Sequence, residues 1–314
     1  MCLDVSFSGA CEMTWIFAED QIFTLREIQA ESFEYGKPTV ALFVDYQQAY
    51  DKVQRRELYK ILEELEINKK LRSMIRLTLQ KTENRVKLNN RMSEESEVRN
   101  GVRQGDPLSS VLFSLVLEKV IRDAKINRSG LLYYKRHQFL AFADDLVILA
   151  RNKKEFKEII KRLEEQSVKR GLCINEIKTK YMEWTEEEYQ EGREKYEFEE
   201  VEQFTCLGSI FSRKPNIGEE IEARIMAGNK YVAGLRRILR NKNISRQTRF
   251  RLYKAVIRQI ATYASETWAL NKTEQIRLEV WERKILRKIF GGKRTEEEWI
   301  RRTNKEIKNL YGEG

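Results

Sequence analysis

The stretch FLAFADDLVILA, residues 139–150, places two apolar runs, Phe139–Phe142 and Leu146–Ala150, on either side of two adjacent acids, Asp144 and Asp145. Each run reads as a strand bound for a core, and together they predict a hairpin with both carboxylates at its tip. Aspartate is seldom fully buried unless it is paired or coordinates something. Upstream, TVALFVDYQQAYDKV (39–53) opens as a continuous apolar strand and meets its first acid at Asp45. Three carboxylates converging without a cation would repel and raise one another's pKa, a penalty that a divalent ion removes. A D-D pair in a turn is by itself ordinary turn chemistry, and Asp45 alone could be a helix cap. The weight lies in the combination.

The surrounding pattern is consistent with that platform. RRELYKILEELEI repeats Leu58, Ile61, Leu62 and Leu65 at helical spacing. GVRQGDPLSSVLFSLVLEKVIRDAK (101–125) is a glycine-bearing loop entering a helix, with Asp106 as the cap and Pro107 as the first helical residue. EFKEIIKRLEEQSVKR is an amphipathic helix ended by Gly171, and LCIN and KTKYMEW are short strands. The order strand, helix, helix, hairpin, helix, strand predicts an α+β layer, an antiparallel sheet with helices on one face. From Glu183 to Glu202 ten glutamates face one arginine and one lysine, an acidic connector. From Ile217 onward the pattern is helical, with expected stripes at Ile221, Ile225, Val232, Leu235 and Ile238, at Leu252, Val256 and Ile260, and at Ile276, Val280, Ile285 and Ile289.

Charge follows the same division. Of a net +10, residues 213–314 carry 25 Lys+Arg against 12 Asp+Glu, while the rest is slightly acidic. A basic helical module after a near-neutral one points to a polyanionic partner, above all nucleic acid. Arg236, Arg237, Arg240, Lys242, Arg246 and Arg249 are the candidate phosphate contacts. The four cysteines are scattered and the single histidine is His137, which argues against a structural zinc. The first twenty residues have no basic start and no long apolar run, so the expectation is an intracellular protein, cytoplasmic or nuclear, with no membrane association.

At this point the residues resemble the reverse transcriptase of non-LTR (LINE-type) retrotransposons. FVDYQQAYD resembles the first catalytic motif, GVRQGDPLSS the R-Q-G-x-P-L-S-P motif, and FADD the F/Y-x-D-D signature. GLCINEIKTK resembles the N-x-x-K-T-K strand, FTCLGS the primer-grip region, and YASETWAL…ERKILRKIFG the tail of these elements. The likeness runs from about Asp20 to Gly292 in family order, with Ser110, Cys206 and Ala264 standing where Pro, Tyr and Gly are usual. It implies a polymerase palm over residues 37–212 and a basic helical thumb with its extension over 213–314. Residues 1–36 would be the remnant of a fingers region, the upstream part being absent.

The resemblance also implies roles. Asp45, Asp144 and Asp145 would be metal-binding carboxylates for two Mg²⁺, with Mn²⁺ a possible substitute. Tyr50 would be the ring that excludes a 2′-hydroxyl from the incoming deoxynucleoside triphosphate. Arg103, Gln104 and Gly105 would lie near the nascent pair, and Lys178 near the leaving pyrophosphate. The implied partners are an RNA template and a DNA primer, and the implied reaction is RNA-directed DNA synthesis. The alternative is a catalytically inactive nucleic-acid-binding relic of a mobile element. An RNA-dependent RNA polymerase is a third reading, opposed by Tyr50 and the F-x-D-D form.

Overall fold

The computed structural model describes residues 18–80, 82–124, 139–185, 198–241 and 243–312. Lys242, His137, the first 17 residues of the expected fingers remnant and residues 186–197 of the acidic connector lie outside the described residues. The chain divides into two compact units, Met1–Leu207 and Gly208–Gly314.

The first unit runs α1 (Ala18–Glu34), β1 (Thr39–Val44), α2 (Ala49–Lys52), α3 (Arg55–Glu64) and α4 (Lys69–Leu79). Four short ribbon strands follow, β2 (Thr82–Asn84), β3 (Lys87–Leu88), β4 (Arg91–Met92) and β5 (Ser96–Val98), then α5 (Pro107–Asp123). The hairpin is β6 (Phe139–Phe142) and β7 (Asp145–Ala150), succeeded by α6 (Lys153–Val168), β8 (Lys180–Trp184), β9 (Glu199–Glu200) and β10 (Gln203–Cys206). The main sheet has the order β6-β7-β1-β8-β9, antiparallel throughout except for the short parallel pair β8/β9.

Alternation along β1 decides what covers each face. Val40, Leu42 and Val44 join Leu146 and Ile148 of β7 in one core with α3, α5 and α6, supplied by Leu58, Leu62, Leu112, Phe113, Val116, Phe156 and Leu163. Burying each such side chain is worth about 1.5–3 kcal/mol. The helices of residues 37–212 thus stack on one face. The other face belongs to α1, where Gln21 donates to the Leu140 carbonyl at 3.3 Å and Ser32 to that of Trp184 at 3.4 Å. Helix α5 starts as the sequence predicts, Asp106 accepting from the Leu108 amide at 2.9 Å ahead of Pro107.

The second unit contains β11 (Ser209–Ser212), α7 (Ile217–Gly234), α8 (Arg236–Arg240), α9 (Arg246–Leu252), a π-helical segment Tyr253–Arg258 and α10 (Gln259–Ala261). Helix α11 (Lys272–Phe290), a ribbon of β12 (Lys293–Arg294) and β13 (Trp299–Ile300), and α12 (Asn304–Gly312) complete it. The first expected stripe holds at Ile221 and Val232, which are buried, and at Ile225 and Leu235, which are partly buried. Ile238 is exposed and Leu239 buried, because α7 ends at Gly234 and α8 restarts with a new phase. Phe250, Tyr253 and Ile257 are buried at the centre of this core, while the expected Leu252 packs against it and Leu252, Val256 and Ile260 are only partly buried. Two stripes offset by a few residues competed, and the one carrying two aromatic rings buries more area. In α11, Ile285 and Ile289 are buried as expected, but Ile276 and Val280 are exposed and Trp281 is buried instead. Trp281 fills a notch at Gly228, where a β-carbon would stand 2.5 Å from its Cζ2. Ala264, in the place of the family's usual glycine, has φ 56, a left-handed conformation that glycine adopts more readily. Among the described residues no helix is long and apolar enough to cross a membrane.

Candidate active site

Strand β1 delivers Asp45. Its register with β7 pairs Phe43 with Val147 and Val44 with Leu146, so one further step sets Asp45 opposite Asp145. Asp45 and Asp145 line the same cleft as Phe43 and Val147. The Asp45 main chain is held by the segment that follows α6. Its amide donates to Thr179 Oγ1 at 3.1 Å, and its carbonyl accepts from the Asn175 amide at 2.8 Å. Asn175 Oδ1 accepts from the Ile177 and Lys178 amides, each at 3.2 Å, shaping the turn that presents Lys178. Lys178 Nζ lies 3.8 Å from Asp45 Oδ2. That oxygen is shut off from solvent and has no hydrogen-bond partner among the described residues.

The hairpin tip supplies the other acids. Ala143 turns the chain at φ 53 and leaves Asp144 exposed. Loss of hydration pushes the Asp145 carboxyl above the usual aspartate range, and the charges of Asp144 and Asp45 add to it. The Tyr50 hydroxyl is likewise pushed up, first by burial and then by Asp144 and Asp145. Tyr50 rests on Phe113, ring centroids 5.1 Å apart. Asp45, Asp145, Lys178, Lys180, Phe204 and Cys206 are among the walls of a cleft of about 390 Å³. Phe204 stacks on Phe43 at 4.3 Å, so the segment resembling the primer grip adjoins the acids. Burial and the Asp145 charge push the Cys206 thiol up to about 12, which leaves it protonated and unreactive near neutral pH.

The glycine-bearing loop is tied to the helix that carries Tyr50. Val102 donates to the Tyr50 carbonyl at 2.9 Å and Gly101 to that of Val53 at 2.8 Å. Gly105 has φ 86 and open space where a β-carbon would point, while Arg103 and Gln104 are exposed beside it. The buried Arg55 braces the loop. It donates to the carbonyls of Gly101 (2.8 Å), Leu79 (2.6 Å) and Val98 (2.8 Å) and to Thr82 Oγ1 (2.8 Å). Sequence reasoning missed Arg55, Asn175 and Thr179 as positioning residues. The last two stand inside the quoted GLCINEIKTK, so that motif held the signal, whereas nothing local marks Arg55.

These residues suit a hard divalent ion. The donors are carboxylate oxygens, one of them without a hydrogen bond among the described residues, and their mutual repulsion favours a cation. Among the described residues no three acidic, histidine or cysteine side chains are already disposed to enclose an ion. Mg²⁺ commonly takes only one or two carboxylates and completes its shell with water and substrate phosphates.

In the second unit Arg236, Arg237 and Arg240 on α8 and Arg246 on α9 are exposed. Arg249 is half-buried and donates to the Leu239 carbonyl at 3.0 Å, which joins α9 to α8.

Residues 12–211 match the family described as reverse transcriptase (RNA-dependent DNA polymerase). Over 129 residues, 41% of the chain, the sequence is 30% identical to the retrovirus-related Pol polyprotein from type-1 retrotransposable element R2 of Nasonia vitripennis. Over 116 residues, 36% of the chain, it is 29% identical to the corresponding polyprotein of Popillia japonica. The matches cover 13% and 19% of those two polyproteins, so the chain spans a small part of their length. The solved structure of apo telomerase from Candida tropicalis aligns over 86% of this chain and 49% of that one, with 13% identity and a TM-score of 0.48. With the family's match spanning well over half its length, the chain belongs to the reverse transcriptase family.

Proposed function

We propose that this chain is an RNA-directed DNA polymerase that adds deoxynucleotides to the 3′-hydroxyl of a DNA primer along an RNA template. The observation that carries the reading is the convergence of Asp45 and Asp145 on one cleft, with Lys178 Nζ 3.8 Å from Asp45. Asp45, Asp144 and Asp145 would hold two Mg²⁺, with Mn²⁺ an acceptable substitute. Bound there, the ions would supply charge neutralisation for the attacking and leaving oxygens of nucleotidyl transfer.

The remaining work falls to the chain's own groups. Lys178 leaves Asp45 for the anionic pyrophosphate, stabilising its charge or giving it a proton. The Tyr50 ring, backed by Phe113, fills the space a 2′-hydroxyl would need and so favours deoxynucleotides. Gly105 lets the main chain approach the nascent pair, with Gln104 and Arg103 flanking it. Residues 37–212 act as the palm, and the exposed arginines of residues 213–314 hold phosphates as a thumb.

The test is primer extension on an RNA template by the purified chain with Mg²⁺. The parent should extend the primer, and Asp45→Asn and Asp144→Asn should each lose at least about a hundredfold in rate, the scale for one lost electrostatic contact to a transition state. Tyr50→Val should admit ribonucleotides. Tight binding of primer–template without extension by the parent would sink the polymerase reading and leave the nucleic-acid-binding relic in its place.

A further inference from the structure

A second cleft, in the Gly208–Gly314 unit, shares no residue with the site above. It encloses about 520 Å³ between the end of α11, the β12–β13 ribbon and the chain entering α12. Its charged walls are Lys284, Arg287, Lys288, Arg301 and Arg302, and no carboxylate lines it. Cations in the last turn of a helix are ordinary partners of its dipole, which accounts for Arg287 and Lys288. It does not account for Lys284, Arg301 or Arg302, nor for the indole of Trp299, which lines the cleft with 68% of the residue exposed.

The local fold holds that ring in the open. Gly291 ends α11 at φ 71, and a β-carbon on Gly292 would stand 3.0 Å from the Ile300 carbonyl and 3.4 Å from the Trp299 ring. Glycine therefore lets the ribbon fold back over the helix end, pairing Arg294 with Trp299. Arg287 is spent on structure, donating to the Arg302 carbonyl at 3.3 Å and to Asn304 Oδ1. Partial burial, then the charges of Arg301 and Arg283, push its guanidinium pKa down, so cations are crowded around Arg287. Arg302 Nε is closed off from solvent and has no hydrogen-bond partner among the described residues.

We propose that this cleft binds single-stranded nucleic acid, one base stacking on Trp299 while the neighbouring phosphates sit among Lys284, Lys288, Arg301 and Arg302. Base stacking on an exposed ring beside a basic groove is the usual mode for unpaired strands. An anionic membrane fits less well. Glu296, Glu297 and Glu298 form the ribbon's turn next to Trp299, and a flat bilayer reaching the indole would meet them, whereas a strand entering the concavity would not.

The proposal is independent of polymerase activity and is tested in chelator, with no nucleotide present. Labelled oligouridylate and oligothymidylate are titrated into the full chain by anisotropy at several salt concentrations, with tryptophan emission recorded in parallel. Trp299→Ala should weaken binding by about tenfold and Trp299→Phe by much less. Arg301→Ala should lower the slope of log affinity against log salt by about 0.7. The parent's emission should be quenched more than that of Trp299→Phe, a difference that binding elsewhere on the chain would not produce. A preference for either oligonucleotide assigns the strand as RNA or DNA. Equal affinity of parent and Trp299→Ala with no quenching difference would overturn the proposal. So would a Trp299-dependent emission change with phosphatidylserine vesicles but not with oligonucleotides.

Discussion

The wholly buried hydroxyl of Thr179 grips Asp45 on both sides, accepting from its amide at 3.1 Å and lying 3.4 Å from the carbonyl to which it donates. One side chain thereby fixes the two peptide groups that aim the carboxylate. Thr179→Val keeps the shape and removes both contacts. It should cost about 1–3 kcal/mol, the penalty for leaving a buried polar group unmatched. Urea unfolding would read that cost, and primer extension should fall further than the lost stability accounts for. An extension rate equal to the parent's would show that Asp45 does not depend on this anchor.

Arg55 is the second anchor, and a larger one. Its guanidinium satisfies three carbonyls and a hydroxyl drawn from α4, the β2–β5 ribbon and the glycine loop. Arg55→Leu would leave these acceptors facing an apolar group, at a cost of about 3–5 kcal/mol. Arg55→Lys should recover little, because a single ammonium cannot span acceptors that a planar fork reaches together. Amide exchange is the sharper readout: protection of Val98 and Gly101 should drop before that of β1. Uniform loss across the sheet would argue that Arg55 supports the core generally rather than this loop.

What the sequence made legible, and what it hid, has a physical pattern. Asp45, the hairpin around Asp144 and Asp145, and the Asp106–Pro107 helix start all follow from contacts within a few residues, where periodicity and capping rules act. Arg55 was hidden because its partners lie 24 to 46 positions away and nothing local distinguishes it from the exposed Arg56. Asn175 and Thr179 lay within a quoted motif, yet their reach to Asp45 depends on pairing across the sheet. In the basic unit the aliphatic stripes were right at Ile221, Val232, Ile285 and Ile289 and misled elsewhere, where Phe250, Tyr253 and Trp281 took the core and the π-helical segment Tyr253–Arg258 changes the helical phase.

Acid should loosen one part of the second unit. The Glu306 carboxylate accepts from the Thr303 amide at 2.9 Å, from Thr303 Oγ1 at 3.1 Å and from Lys293 Nζ at 3.2 Å. The Thr303 backbone bond first, then Lys293 and the Thr303 hydroxyl, hold its pKa down at about 2. A carboxyl depressed on folding stabilises the fold above its unfolded pKa, and the gain disappears as pH falls through the folded value. The stability difference between the parent and Glu306→Gln should therefore be full at neutral pH and fade from the ordinary glutamate range down to about 2. Thermal unfolding across that range measures it. A difference that does not change with pH would refute the assignment.

Two glycines of the RQG loop separate backbone strain from crowding. Gly101 and Gly105 both have positive φ, 81 and 86, so an alanine at either position is strained by roughly 1–2 kcal/mol. Their surroundings differ. A β-carbon on Gly101 would stand 2.7 Å from the Asp51 carbonyl oxygen and 2.9 Å from its Cα, whereas one on Gly105 meets nothing within 4 Å. Gly101→Ala must push the loop off the helix that carries Tyr50, and its cost should exceed that of Gly105→Ala by about 1–3 kcal/mol, the range for overpacking. Activity should sort the other way once stability is allowed for. Gly105→Ala leaves the loop seated and places a methyl group where the nucleotide is proposed to approach, so it should raise KM for the deoxynucleotide. Equal unfolding midpoints for the two variants would contradict the close approach at Asp51. An unchanged KM for Gly105→Ala would remove that residue from the nucleotide site while leaving the carboxylates untouched.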